Sequence, residues 1–171
     1  MALGGVRPAV SGAGPSMPLR LLLAVAPVAA ALVLGNVATF PNLPWYATLA
    51  KPSFTPPNGV FGPAWTLLYI LMAVALFRIL GQPHRAGRAI AVSAFVVQIA
   101  LNAAWSWAFF AAHAPLAGLV VIALLDIAVL ATTVLFLRLD RAAGICLVPY
   151  CAWLAYATAL NAAILQLNGP G

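Results

Sequence analysis

Five apolar runs of about 20 residues, separated by joints too short to hold a domain, constrain this chain more than any other feature. They are Leu21 to Phe40, Val60 to Leu80, Ala89 to Ala112, Leu119 to Leu137 and Ile145 to Leu167. Each is long enough to cross a hydrocarbon layer ~30 Å thick as an α-helix, in which a single segment satisfies its own backbone hydrogen bonds. A water-facing surface is beyond this chain's means. Eight of its 171 residues are Lys or Arg and two are Asp or Glu, whereas soluble domains carry charge at about 25% of positions. The chain is therefore predicted to be an all-α membrane protein, a five-transmembrane-helix up-down bundle over residues 19–168, with helices near 20–40, 60–80, 89–112, 119–137 and 145–167. Joints this short predict that successive helices lie antiparallel and side by side.

Residues 1–18, rich in Gly, Ala, Ser and Pro, read as a disordered leader, within which Met17 is an alternative start. For the first apolar run, a cleaved signal peptide is the rival reading. Its apolar region would cover 7–15 residues, and the run from Leu21 continues well past that, so a retained first helix is expected. The net charge of +6 and isoelectric point near 10.2 would point to nucleic acid in a soluble protein. Here the basic residues sit at the ends of apolar runs, where they report topology instead. Arg7, Arg20, Arg78, Arg85, Arg88, Arg138 and Arg141 fall on the side of the N-terminus, and Lys51 alone falls on the other. The positive-inside rule then places the N-terminus in the cytoplasm, and the C-terminus and the first loop outside it, with a cytoplasmic membrane as the expected location.

That first loop, Trp45 to Trp65 (WYATLAKPSFTPPNGVFGPAW), holds the prolines Pro52, Pro56, Pro57 and Pro63 and the aromatics Trp45, Tyr46, Phe54, Phe61 and Trp65. Proline fixes its own φ and turns the preceding residue away from helix, so an irregular, stiff connection is expected, shaped as a lid. The alternative is an aromatic belt at the headgroup level. Polar residues inside the runs point inward, because lipid is costly for them. Gln98, Asn102 and Trp105 share one helical face, as do Trp153, Ala157 and Asn161, and Phe61, Trp65 and Tyr69. Asp126 is the only acid within a run. Convergence of these stripes would give a cavity walled by indoles and dotted with amides. Plain hydrogen-bonding glue between helices is the competing reading.

Cys146 and Cys151 lie roughly 140° apart around one helix and cannot bridge within it, and no metal-ligand spacing involves them. His84 and His113 fall at opposite ends of helices about 30 Å apart, which rules out one haem iron held by both within a protomer. Ala100, Ala104, Ala108 and Ala112 form a small-residue ridge suited to close helix approach, either within the bundle or across a homodimer.

WYATLAKPSFTPPNGVFGPAWTLLY, ALNAAWSWAFF and LVPYCAWLAYATALN, in this order on five helices from about Gly35 to Asn168, resemble the TspO/MBR family of tryptophan-rich sensory and translocator proteins. The resemblance implies a membrane receptor or transporter-like sensor, commonly a homodimer. It implies a cavity beneath the first loop that takes porphyrins (protoporphyrin or haem) and other flat hydrophobic molecules as ligands, with no required cofactor, no metal and no nucleic acid. Carried over to this sequence, the ligand-binding residues would be Tyr46, Pro56, Pro57, Phe61, Trp65, Tyr69, Asn102, Trp105, Asp126, Trp153 and Ala157. Gly59 stands where many members have Trp, and nothing basic follows Arg141 to complete the sterol pattern of animal members. Light- and oxygen-dependent porphyrin breakdown at Trp65 and Trp153 is the alternative implied by some members. A ligand-free structural membrane subunit is the third.

Overall fold

The computed structural model describes residues 16–82 and 87–170. Helix α1 covers Met17–Thr39 and continues through a 3-10 turn, Phe40–Asn42, into the short α2, Leu43–Thr48. Then come α3 (Asn58–Leu80), α4 (Arg88–Ser106, extended by a π turn at Trp107–Ala111), α5 (Pro115–Leu139) and α6 (Arg141–Asn168). Among the described residues five stretches are long and apolar enough to span a membrane, and the chain is a multi-pass membrane protein. The leader expected at 1–18 lies outside the described residues as far as residue 15, and Met17 and Pro18 already belong to α1.

Helices outrun the apolar runs because a helix satisfies its own backbone in water and lipid alike, so hydropathy fades before the hydrogen bonding stops. The segment RLDRAAG, expected as a joint, is almost wholly helical, and the break falls at Asp140 alone. Asp140 has extended backbone (φ −150°, ψ 107°) and its carboxylate accepts from the Ala143 N–H, so it caps α6. The same carboxylate meets the Arg78 guanidinium at 3.0 Å and the Gln82 amide at 2.9 Å. One acid thereby fastens the end of α3 to the start of α6.

The helices close into a ring in the order α1, α4, α5, α6, α3 and back to α1. This corrects the expectation that successive spans are neighbours, since α3 and α4 follow one another in sequence yet have α1 lodged between them. The cause lies on α1, whose inward stripe Ala24, Val28, Ala31, Gly35 and Ala38 is small throughout. A small stripe lets a helix approach two partners at once. At Gly35 an added Cβ would stand 3.3 Å from the Ser106 hydroxyl of α4. Gly118 does the same for α5, because a Cβ there would crowd the Asn161 Oδ1 and the Phe109 ring.

Candidate functional site

The irregular stretch is shorter than Trp45 to Trp65. Trp45 and Tyr46 lie in α2, Phe61 and Trp65 lie in α3, and only 49–57 lacks helix. Pro44 near the start of α2 and Pro57 at the N-cap position of α3 explain the boundaries, for a helix accepts proline where its first N–H groups need no partner. Residues 49–57 are pinned at both ends. The Ala50 N–H donates to Asn168 Oδ1 at 2.8 Å and the Ala50 carbonyl accepts from Asn168 Nδ2 at 2.9 Å. Farther along, the Tyr156 hydroxyl donates to the Phe54 carbonyl at 2.9 Å, and their rings meet edge to face. The Lys51 ammonium sits 4.6 Å above the Tyr46 ring and donates to the Leu49 carbonyl.

Beneath this segment two aromatic groups adjoin. In the deeper one, the Trp65 ring lies 5.5 Å from Tyr69, 6.2 Å from Tyr150 and 6.2 Å from Trp153. Asn102 crosses the middle of the ring of helices. Its Oδ1 accepts from the Tyr69 hydroxyl at 2.8 Å, and its Nδ2 donates to the Tyr150 oxygen at 2.9 Å. Asn102 is 3% exposed, and it binds α3, α4 and α6 through one chain of hydrogen bonds that is buried on the Tyr150 side and part-buried on the Tyr69 side. Nearer the lid, Tyr46, Phe109 and Phe110 pack with Trp105, whose indole N–H donates to Asn161 Oδ1 at 3.1 Å. The π turn is what brings Phe109 and Phe110 inward together, because the wider turn shifts the register of side chains around the axis. Phe61 joins the two groups, edge to face with Trp153 at 6.0 Å and packed on the Tyr46 side as well.

Of the residues singled out from sequence, Tyr46, Phe61, Trp65, Tyr69, Asn102, Trp105 and Trp153 fall in this continuous aromatic and amide assembly. Ala157 is half-buried against the deeper group. Pro56 lies to one side, in an outward groove of about 670 Å³ between α3 and α6 that Phe54, Trp153 and Tyr156 also line. Pro57 is an exposed cap. Asp126 accepts from the Thr158 hydroxyl at 2.7 Å across α5 and α6, and no hydrogen bond joins it to the tyrosines. Gln98, one turn below Asn102, is 1% exposed, with neither amide atom paired among the described residues. His84 lies outside the described residues. His113 stacks on Trp45 at 4.4 Å and pairs with Asn42.

Tyr150 is the residue that sequence reasoning missed. It is fully buried and completes the chain through Asn102. Its signal was its position three residues before Trp153, on the same helical face.

Chemically, the assembly offers indole and phenol faces and edges for flat apolar molecules, with an amide and two hydroxyls to orient a polar edge. In this conformation Trp65 and Trp153 touch each other edge to face rather than leaving a gap for a planar guest.

A sequence model of the TspO/MBR family matches residues 23–167. The chain is 42% identical over 154 residues to the tryptophan-rich protein TspO of Archaeoglobus fulgidus, covering 88% of this chain and 99% of the relative. To the protein of the same name from Chlorobaculum tepidum it is 44% identical over 125 residues, 72% and 79% of the two chains. To the human translocator protein it is 37% identical over 131 residues, 74% and 76% of the two chains.

Proposed function

The chain belongs to the TspO/MBR family, and from that premise we propose that it is a membrane receptor or transporter-like sensor that binds porphyrins and similar flat hydrophobic ligands beneath residues 49–57. The observation that carries this reading is the pairing of Trp65 and Trp153 beside the Tyr69–Asn102–Tyr150 chain. Several aromatic contacts at about 0.5–1.5 kcal/mol each beyond area burial, added to ordinary apolar burial, reach micromolar affinity without a metal bond or covalent link. Entry of a planar guest between Trp65 and Trp153 requires the two rings to part, and access from above requires release of the Ala50–Asn168 and Phe54–Tyr156 bonds that hold the loop. By the positive-inside rule the loop and C-terminus face away from the cytoplasm, and the arginine-rich ends of the helices face into it.

Titration of protoporphyrin against intrinsic tryptophan fluorescence tests the reading. Saturable quenching with one site per protomer is expected, and quenching that rises linearly without saturation would defeat it.

A second reading rests on the same edge contact. Two indoles against one bound porphyrin are the side chains nearest to light-generated oxidants, so porphyrin breakdown would fall to Trp65 and Trp153. Illuminating the bound complex in air decides this, because identical bleaching of free and bound porphyrin leaves only the binder. Association into a homodimer through the outward ridge Ala100, Ala104 and Ala112, all exposed on α4 and the turn after it, belongs to the first, receptor or transporter-like reading.

A further inference from the structure

Beside the aromatic assembly, with which it shares Tyr69, α1 and α3 enclose a second groove of about 480 Å³ that opens sideways to lipid. Its floor and walls are mostly small or aliphatic, with Ala24, Val25 and Ala29 from α1 against Tyr69, Ala73 and Val74 from α3. It runs from Leu21 and Phe77 at one end to Leu32 and Thr66 at the other. Eleven residues along each helix make about 16 Å at 1.5 Å per residue, close to half of the ~30 Å hydrocarbon core. The groove is therefore one leaflet deep.

At its arginine-rich end stands Arg20. The guanidinium lies 3.8 Å over the Phe77 ring, and Phe77 is itself part of the groove wall. The cation is seated closely enough over Gly81 that a Cβ there would collide with Nη1. Its Nε is buried and has no hydrogen-bond partner among the described residues. A buried N–H of a charged group without an acceptor is costly, and because Arg20 is only half-buried, an anionic oxygen on its remaining surface would offset that cost through a charge-assisted bond to the guanidinium. Among the described residues, the basic side chains at the adjoining ends of α3 and α4 are otherwise engaged, Arg78 with Asp140 and Arg88 with the Gln82 carbonyl.

We propose that the α1–α3 groove is a binding site for one anionic phospholipid of the leaflet on the arginine-rich side, its phosphate on Arg20 and one acyl chain between α1 and α3. Charge complementarity selects the head, and the depth of one leaflet selects the tail. Apart from Tyr69 and Phe77 the lining is aliphatic or small and holds no indole, which suits an acyl chain better than the flat aromatics of the central assembly. The site stands whether or not the central assembly binds porphyrin.

The test is native mass spectrometry of the full chain released from detergent with phosphatidylglycerol or phosphatidylcholine of the same acyl chains. Wild-type protein is expected to retain one phosphatidylglycerol per protomer in preference to phosphatidylcholine. Arg20→Gln should lower retained phosphatidylglycerol about tenfold and leave phosphatidylcholine unchanged. Gly81→Ala keeps the charge but unseats the guanidinium, and should give the same loss. Ala29→Phe, at an exposed position in the groove, should lower retention of both lipids, and Arg138→Gln should alter neither. Each variant is first shown to melt as wild type, and Gly81→Ala serves if Arg20→Gln does not. Unchanged phosphatidylglycerol in both Arg20→Gln and Ala29→Phe would overturn the proposal. So would an equal loss in Arg138→Gln, which would mean diffuse surface charge, or displacement of the lipid by millimolar inorganic phosphate alone, which would mean an anion site without a tail.

Discussion

The side-chain amide of Asn168 holds both polar groups of Ala50, accepting from its N–H at 2.8 Å and donating to its carbonyl at 2.9 Å. The last residue of α6 thus fixes the first turn of the loop above the aromatic assembly, across 118 residues of sequence.

Asn168→Ala removes both bonds. At about 1 kcal/mol net per hydrogen bond, the closed loop should lose about 2 kcal/mol relative to open forms. Hydrogen exchange should accelerate at 50–57 while α3 and α6 keep their protection, and bound porphyrin should dissociate faster with little change in its association rate. Uniform acceleration throughout the bundle would mean that Asn168 stabilises the whole fold rather than the loop.

Asp140 sets a pH dependence. Burial pulls its carboxyl upward, but the Ala143 N–H and the Arg78 guanidinium more than offset this, so its pKa lies below the ordinary value. A carboxyl depressed on folding adds stability that is complete above the unfolded value of about 3.9 and is lost as pH falls through the folded value. Asp140→Ala should therefore cost about 1 kcal/mol at neutral pH, from the lost cap and ion pair. The gap from wild type should close on acidification below about pH 4. A gap that stays constant from pH 7 to pH 3 would assign the loss to packing.

How far the sequence carried the fold is clearest at α1 and Asp140. Five spans were legible because lipid leaves a single segment only one way to satisfy its backbone. Helix ends were not, since Met17 to Arg20 and Arg138 to Ala142 fall outside the apolar runs yet are helical apart from Asp140, and hydropathy cannot see hydrogen bonds that persist in water. The ring order was hidden for a different reason. It depends on how closely the Ala24 to Ala38 stripe admits both α3 and α4, a property of two partners at once. Period-3.6 stripes anticipated that Trp65, Tyr69, Asn102 and Trp153 lie close to one another. They left out Tyr150, whose role lies in a hydroxyl aimed across the bundle. They also could not foresee that Asp126 pairs with Thr158.

Asn102→Leu should cost both stability and binding. It breaks two interhelical bonds at about 0.6 kcal/mol each, and so lowers stability by about 1 kcal/mol in detergent. It also strands the Tyr69 and Tyr150 hydroxyls in the enclosed centre. An affinity loss beyond tenfold, about 1.4 kcal/mol, exceeds what the broken bonds supply and marks direct contact with the ligand. If affinity is untouched while melting falls, Asn102 is only a tie between helices.

A Cβ at Gly59 would meet nothing within 4 Å, and Gly59 is exposed, so a side chain added there starts into open space. Gly59→Trp adds an indole at this place. It should fold as wild type and bind porphyrin several-fold more tightly, since one added stacking contact is worth about 0.5–1.5 kcal/mol. Unchanged affinity by fluorescence titration would put Gly59 outside the mouth of the site.

Trp65 and Trp153 give the sharpest division among binder, enzyme and inert bundle. Their rings touch at 6.2 Å, edge to face, and both are only half-buried, so each keeps a surface for a guest. Trp65→Leu and Trp153→Leu preserve apolar character but remove the indole. If both rings contact one porphyrin, each single variant should weaken binding about threefold to tenfold, the span that 0.5–1.5 kcal/mol allows. The double variant should then depart from additivity by about 0.5 kcal/mol or more, because residues sharing a partner couple. The rings also touch each other, and a thermal-stability cycle on the same four proteins measures that contact alone, so coupling in binding must exceed coupling in melting. Photochemistry is read at saturating porphyrin, where affinity no longer matters. Loss of the spectral change in either single variant would assign breakdown to that indole, and its survival in the double variant would remove both from the reaction. Full affinity in all three variants would mean that porphyrin binds elsewhere on the bundle.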